Sequence, residues 1–439
     1  MTSGMDAFES FITENAQADT SRLILSRKDW PSPSDPGLAS IPGRELAVGT
    51  IEARKKLRRK VPQWYSCTSL VFPSALSAEQ CSSSDTAFYK AALVRETVGA
   101  GARVADLTGG LGVDSWAFSK DASKVLYNDS SAWLAASAVH NFKALGVFNV
   151  AVSSVEISSG TLEAVAGPFR PDLIYLDPGR RDSSGRKVFL LEDCSPDVSG
   201  LLPALFRMTR YVLLKLSPMI DLSLAVSRLD AAAEVPSMGE DGPWNVSRVR
   251  EIHVVASGGE CKEVLVLLDR EWEGEYKVVC REDSRTVVFS SGEISRARPT
   301  LVGSTYAKVL FEPGKSLSKA GTFNVLCERF SLSKLARSTH LYTLPESLSD
   351  SETEQACGRL QGLGKVFRVL EVLPLDRRGL KEVSRRWPVC EVSARNISLS
   401  SDELRSRLKV SPGGEVHVFG VRIEMPHGAG NYLIVCTKA

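Results

Sequence analysis

Nine cysteines are spread along this chain without a single Cys-x-x-Cys pair, and only five histidines accompany them. That scarcity excludes the common ligand spacings of zinc sites and iron–sulfur clusters, and it fits a reducing compartment better than a disulfide framework. No apolar run approaches the roughly 20 residues of a membrane span. The opening "MTSGMDAFESFITENAQ" lacks the basic start and apolar centre of a secretory signal. A strong excess of one charge is missing too: the formal net charge is +2 over 439 residues. Any nucleic-acid surface must therefore be a local patch. A cytoplasmic protein with no membrane segment and no metal is expected. The chain is also too long for one core, so several domains are expected.

What is present falls into zones. Residues 1–88 read as a polar helical region with a Pro/Ser break at "DWPSPSDPG". Inside it, "IEARKKLRRKVPQWY" sets Arg54, Lys55, Lys56, Arg58, Arg59 and Lys60 against one acid, Glu52, with Trp64 and Tyr65 directly after. Such a run suits phosphates and stacked bases. A solvated helix whose aromatics dock on the next domain would have the same composition. Over 89–270, "RVADLT", "KVLYND", "NVAVSSVE", "PDLIYLD" and "YVLLKLSP" read as strands, and "SSAWLAASAVHNFKALG" reads as a helix. "EIHVVAS" and "EVLVLLD" form a hairpin through "GGECK". This alternation predicts an α/β fold with a doubly wound, Rossmann-like sheet. Two small α+β domains are expected to follow, at 275–340 and 362–439, with "PESLSDSETEQACG" as a polar linker between them.

The first strand ends in "VADLTGGLGVDS". Asp106 precedes Thr108, Gly109, Gly110 and Gly112, and a helix follows. Glycines let a backbone approach a ligand closely. A dinucleotide site wants G-x-G-x-x-G, a spacing this turn does not have. A carboxylate ahead of the glycines would repel a pyrophosphate but would suit the cationic methionine end of S-adenosylmethionine. Asp129, at the end of the second strand, stands where an acid accepts hydrogen bonds from ribose hydroxyls. Glu156, after the third, is placed to meet the adenine edge. The fourth strand ends in Asp177-Pro178, at the sheet edge where the sulfonium methyl would lie. A carboxylate and a proline-stiffened turn there could aim an incoming nucleophile.

Taken with "EQCSSSDTAFYKAAL", "YLDPGRRD", "LLKLSPMID" and "GGECKEVLVLL", these motifs resemble a class I S-adenosylmethionine-dependent methyltransferase family. "AKVLFEPGKSLSKAGTFNVLCERFSLSKLARSTHLYT" resembles that family's small ferredoxin-like domain, and "VSARNISLSSDELRSRLKVSPGGEVHVFG" its C-terminal THUMP-like domain. The resemblance implies S-adenosylmethionine as cofactor. It assigns Asp106, Gly109, Gly110 and Gly112 to the cofactor loop, Asp129 to the ribose, Glu156 to the adenine side, and Asp177 and Pro178 to catalysis. Glu79 and Gln80 fall where related enzymes close over the methionine end. THUMP domains bind RNA, so an RNA partner (tRNA or rRNA) is implied, methylated at a base nitrogen or a ribose hydroxyl. Base-amine enzymes follow the acid–proline pair with a second proline and an aromatic; here Gly179, Arg180 and Arg181 stand instead.

Arg180 and Arg181, with Arg186, either grip a substrate phosphate or pair with Asp182, Glu192 or Asp193. Lys215, at the end of the fifth strand, is expected beside Asp177. It either polarises a hydroxyl, in a tetrad with Lys90 and Glu260 or Glu263, or simply pairs with Asp177. A carbon-5 pyrimidine mechanism would need a cysteine at a strand end, and Cys194 sits past the Asp-Pro turn. His140 and His253 read as structural. The last unit holds thirteen Lys and Arg against eight Asp and Glu, with Arg385 and Arg386 next to Trp387. That is a footprint for RNA phosphates and one stacked base, or a solvated basic helix. Alternatives to an RNA methyltransferase are an enzyme acting on a protein or metabolite, or a catalytically silent RNA-binding protein.

Overall fold

The segments expected as strands over 89–270 form strands: β-branched, aliphatic and aromatic residues fill most of them, and helical crossovers join the first five. The computed structural model describes residues 7–179, 191, 194–233, 247–305 and 308–439. It divides into two compact units, Met1–Arg250 with Leu265–Gly274, and Glu251–Val264 with Glu275–Ala439.

In the first unit, helices α1 (Ala7–Glu14), α2 (Thr20–Ser26), α3 (Gly43–Lys60), α4 (Pro62–Tyr65), α5 (Ala75–Gln80) and α6 (Ser84–Val98) precede a parallel sheet. Its strands are β1 (Arg103–Asp106), β2 (Lys124–Asn128), β3 (Val150–Ser153), β4 (Leu173–Leu176) and β5 (Tyr211–Leu216). They lie in the order β3-β2-β1-β4-β5, every pair parallel. The connections carry α7 (Val113–Phe118), α8 (Ala132–Ala144), α9 (Leu162–Ala166) and α10 (Val198–Met208), and α11 (Leu222–Ala232) follows β5. The chain winds outward from β1 to β3 and returns to β4 on the other side of β1. The carboxyl ends of β1 and β4 therefore bound the crevice where such sheets bind ligands.

The N-terminal helices are built onto this sheet's helical layer. Phe8, Phe11, Leu38, Leu46 and Ile51 form a buried cluster against which Ala136 of α8 packs. The Asn141 side chain, also on α8, accepts the Val71 N–H at 3.0 Å and donates to the Val71 carbonyl at 2.8 Å. His140 bridges Asp35 and the Ser69 carbonyl. The boundary expected at residue 88 falls inside α6.

The hairpin strands β6 (Val249–Ser257) and β7 (Glu260–Asp269) are divided between the units. In the second unit β6 pairs in parallel with β8 (Lys277–Glu282), which pairs antiparallel with β9 (Arg285–Ser290). A seven-stranded sheet follows in the order β11-β12-β10-β13-β16-β15-β14. Its strands are β10 (Val309–Pro313), β11 (Ser333–Ala336), β12 (Thr339–Thr343), β13 (Gly364–Pro374), β14 (Glu391–Arg395), β15 (Val416–Met425) and β16 (Gly428–Lys438). The helices of this unit are α12 (Ser291–Arg296), α13 (Lys315–Lys319), α14 (Val325–Phe330), α15 (Asp350–Leu360), α16 (Arg377–Arg386) and α17 (Ser401–Leu408). Strand alternation sorts the two faces. Val418, Leu433 and Val435 join Val383 of α16 and Leu404 of α17, while Phe419, Val421, Ile434 and Cys436 fill a separate cluster.

The polar linker expected at "PESLSDSETEQACG" is largely helix α15. Ser349 and Glu352 form a reciprocal capping box at its start, and Ala356, Cys357 and Leu360 are buried. Serine followed three residues later by glutamate was the start signal that its polarity concealed.

Candidate active site

The turn after β1 owes its shape to its glycines. A β-carbon on Gly109 would lie 2.1 Å from the Tyr127 ring, so no side chain fits. Gly109 donates its N–H to the Asn128 carbonyl at 2.8 Å, and the Tyr127 hydroxyl donates to the Gly110 carbonyl at 2.6 Å. Gly110 takes a positive φ of 54°, and around its α-carbon there is open space. Its N–H donates to Asp129 Oδ2 at 2.9 Å, while Asp129 Oδ1 accepts the Ser131 N–H at 2.8 Å. Two of the carboxylate's roughly four lone-pair positions are left for other donors.

A cleft of about 300 Å³ opens at these strand ends. The structure brings together, on its walls, seven of the expected residues: Gln80, Thr108, Gly109, Gly110, Asp129, Glu156 and Asp177. Others are placed differently. Asp106 is fully buried and is not among the lining residues; its Oδ2 meets the Ser115 hydroxyl at 2.6 Å and its Oδ1 the Thr108 N–H at 3.2 Å. Burial raises its carboxyl to about 8, with Asp114 and Asp177 adding to the rise and the bonds from Ser115 and Thr108 opposing it. Asp106 thus braces the turn from behind rather than facing a cationic ligand. Glu79 is exposed and ion-paired with Lys56 of α3, so it too is off the cleft, although its neighbour Gln80 is on it. Gly112 shapes the start of α7 at φ 90°. Arg180 and Arg181 lie outside the described residues, as do Arg186, Asp182, Glu192 and Asp193.

At the end of β4, Asp177 is held from two sides. Its N–H donates to Thr108 Oγ1 at 2.6 Å, and its Oδ2 accepts from Lys215 Nζ at 2.5 Å. Lys215 and Asp177 therefore meet as the strand order predicts. Pro178 is buried, and Gly179 pairs with Ser195 through bonds of 2.7 and 3.1 Å, which brings Ser195 and Pro196 to the cleft. Lys90 is ion-paired with Asp114, Glu260 is exposed beside Lys262, and Glu263 is buried in the second unit.

Asp114, Cys81 and Ser82 are among the lining side chains that sequence reasoning missed. Asp114 joins Lys90, Ser82 and Tyr175 in a buried network. Burial alone would raise its carboxyl, but Lys90 and Lys215 with the bonds from Ser82 and Tyr175 outweigh that and hold it below the ordinary range. Cys81 also lines the cleft, and burial pushes its thiol up to about 11, which suits no nucleophile. Both Ser82 and Cys81 follow α5, whose end is capped by Lys60 of α3 donating to the Glu79 carbonyl at 2.5 Å.

The basic run on α3 resolves toward docking. Trp64 is fully buried between Phe72 and Trp116, and Arg54 donates to the Tyr65 and Cys67 carbonyls. Lys55 and Lys56 pair with Glu52 and Glu79, while Arg58 and Arg59 remain exposed. On α16, Arg385 pairs with Glu382 and Arg386 with Glu371, and Arg386 sits 4.2 Å over the Trp387 ring. Trp387 packs on the cluster beneath α16. Arg377, Arg378 and Lys381 of the same helix are exposed.

Comparison with known proteins agrees with this architecture. Residues 310–350 match a ferredoxin-like domain model and 364–438 a THUMP domain-like model. Along nearly its whole length the chain is similar to the crystal structure of a presumed methyltransferase from Porphyromonas gingivalis W83. The identity is 30%, the TM-score 0.78, and the alignment covers 99% of this chain and 98% of that one. The chain belongs to the class I S-adenosylmethionine-dependent methyltransferase family that carries a ferredoxin-like and a C-terminal THUMP-like domain. Other solved structures align with only part of the chain. The S-adenosylmethionine-dependent methyltransferase from Agrobacterium tumefaciens shares 14% identity over 44% of this chain and 64% of that one, with a TM-score of 0.30. A presumed RNA methyltransferase, PH1948 from Pyrococcus horikoshii, shares 21% over 30% and 59%, with a TM-score of 0.22. None of the curated proteins matches the chain. Among the described residues no helix is long and apolar enough to cross a membrane, and no group of three or more His, Cys, Asp or Glu side chains is gathered for a metal ion.

Proposed function

We propose that this protein is an S-adenosylmethionine-dependent methyltransferase of the cytoplasm whose substrate is structured RNA, tRNA or rRNA, methylated at a base nitrogen or ribose hydroxyl. One observation carries the reading: a single cleft joins the open glycine turn, Asp129, Glu156 and the Lys215-held Asp177 at the switch point of the sheet. The donor set fits the cofactor. Open space at Gly110 admits a close ligand, Asp129 keeps acceptor capacity for ribose hydroxyls, and Glu156 is exposed for the adenine edge. When bound, S-adenosylmethionine supplies a methyl group on a positively charged sulfur.

The chain's own part is positioning. Asp177 accepts a hydrogen bond from the N–H or O–H of the acceptor and so aims its lone pair. Lys215 fixes the Asp177 carboxylate, Thr108 fixes its backbone, and Pro178 stiffens the turn. Arg180 and Arg181, next in sequence to the lining residue Gly179, would grip a substrate phosphate. RNA is favoured by the THUMP-like match and by the exposed Arg377, Arg378 and Lys381 of α16.

The test is a labelled-methyl transfer assay with tritiated S-adenosylmethionine and separate RNA, protein and metabolite fractions from a cell lacking the enzyme. Label should enter RNA, and should not with Asp177→Ala. Label in another fraction would overturn RNA as substrate. Failure to bind S-adenosylhomocysteine by calorimetry would overturn the enzyme itself.

A further inference from the structure

The hairpin of β11 and β12, "SKLARSTHLYT", carries Lys334, Arg337 and His340 and no acid. Lys334 lies opposite Tyr342 in register, and His340 precedes Tyr342 by two residues, so all three side chains leave the same face of the sheet. Tyr342 is fully buried there, and its hydroxyl donates to the Phe323 carbonyl at 2.7 Å, which fixes the loop before α14 over the hairpin. Phe323 in turn carries the His340 ring, with centroids 3.6 Å apart and planes 15° apart. Phe323 is half-buried and His340 is exposed, so the stack ends in an imidazole face turned to solvent. Desolvation of the packed ring, with Lys334 adding to it, holds that imidazole below its ordinary range, so the face is uncharged at neutral pH. The buried Lys334 ammonium lies 6.0 Å from the Phe323 centroid and donates to the Arg337 carbonyl at 2.6 Å. Glu424, paired with Arg422, accepts the Arg337 N–H at 3.1 Å. The Arg337 guanidinium itself is exposed and makes no ion pair among the described residues.

We propose that the Phe323–His340 stack is a platform for one unpaired nucleobase of the RNA substrate, with His340 as the contacting ring and Arg337 meeting the adjoining phosphate. Stacking on an aromatic ring suits any base, because each has a π-face. The surroundings select this partner. A flat, uncharged face beside a free guanidinium, on a hairpin without a carboxylate, fits a chain that alternates planar rings with anionic links. The platform is also preorganised: Tyr342 pins the backbone of Phe323, and Phe323 orients His340, so little freedom is lost when a base arrives. Its place in the fold agrees. The hairpin belongs to the ferredoxin-like segment and shares one continuous sheet with the THUMP-like segment that carries α16. A base held on His340 and phosphates held by α16 would therefore be gripped by one unit of the protein. The inference rests on the RNA reading of the substrate.

The test is filter binding of total RNA, from a cell lacking the enzyme, to the full chain at a series of salt concentrations. His340→Leu keeps apolar packing on Phe323 but removes the flat face. It should bind RNA about 5- to 150-fold more weakly, the cost of losing one stacked base, with an unchanged salt dependence because no charge is lost. His340→Phe restores a ring and should bind within about threefold of wild type. Arg337→Gln should lower the log–log salt slope by about 0.7, the share of one phosphate on a single strand. Urea unfolding of the two His340 variants should match wild type, so that the loss is one of contact and not of folding. RNA affinity in His340→Leu equal to wild type would overturn the platform, as would an equal loss in His340→Leu and His340→Phe. A wild-type protein that binds no RNA would overturn the RNA reading, and this inference with it.

Discussion

The backbone N–H of Asp177 donates to the hydroxyl of Thr108 at 2.6 Å, so the loop after β1 and the end of β4 are tied through a side chain. Thr108→Val keeps the shape and removes the acceptor, leaving a half-buried N–H unsatisfied. Urea denaturation should show a loss of about 1–3 kcal/mol, and Thr108→Ser should restore most of it. Methyl transfer should fall more than affinity for S-adenosylhomocysteine, because the bond positions Asp177.

Two neighbouring glycines should fail in different ways. Gly109→Ala forces a β-carbon into the Tyr127 ring and should cost about 1–3 kcal/mol in thermal or chemical unfolding. Gly110→Ala meets open space, so only the left-handed backbone is penalised, by about 1–2 kcal/mol. The added methyl group would occupy room needed by a ligand. Calorimetry should therefore show cofactor affinity lost in Gly110→Ala out of proportion to its stability.

Lys215→Met removes the partner of Asp177. The expected result is a fall in methyl transfer on the order of a hundredfold or more, with S-adenosylhomocysteine affinity changed by about threefold at most. Lys215→Arg keeps the charge. If it retains most of the rate with an unshifted pH profile, Lys215 acts by positioning Asp177 and not as a proton acceptor.

Asp106 gives stability a definite pH dependence. Its carboxyl is held at about 8 in the folded state, chiefly by burial, against an ordinary value of 3.8. The folded state therefore keeps a proton that the unfolded chain gives up. The contribution is fully present below about pH 4, declines as pH rises, and is lost above about pH 8, with a slope of at most about 1.4 kcal/mol per pH unit. In urea titrations from pH 5 to 8.5, the stability difference between wild type and Asp106→Asn should move against wild type as pH rises. A difference that is flat across this range would show that Asp106 is ionised throughout.

For RNA, charge reversal at Arg377, Arg378 and Lys381 should leave unfolding unchanged, since all three are exposed. Filter binding should show weaker RNA affinity and a shallower salt dependence, by about 0.7–0.9 in the log–log slope for each phosphate that is no longer neutralised. Arg386→Ala should instead cost stability, because it pairs with Glu371 and covers Trp387.

What was legible in the sequence followed from order along the chain. Strand ends recur at one edge of a parallel sheet, so Gly109, Gly110, Asp129, Glu156 and Asp177 could be placed in one cleft from spacing alone, and Lys215 beside Asp177. Position does not give direction, however. Asp106 ends β1 as expected, but its side chain turns behind the turn to Ser115, and Glu79 and Gln80 are adjacent in sequence yet only Gln80 reaches the cleft. The Asp114 network was illegible for another reason. Lys90, Ser82 and Tyr175 come from α6, the loop before it, and β4, and only tertiary packing brings them to α7. Composition misled on α3 as well: a basic helix reads the same whether its cations face solvent or, like Arg54, fill their hydrogen bonds inside the protein.

The paired bonds between Val71 and Asn141 join residues 70 positions apart. During synthesis, at about 5–20 residues per second, roughly 4 to 14 seconds separate the emergence of one from the other. For that interval Val71 and Phe72, both buried in the finished protein, wait without α8. The order of translation thus leaves the N-terminal helices dependent on shelter until α8 arrives.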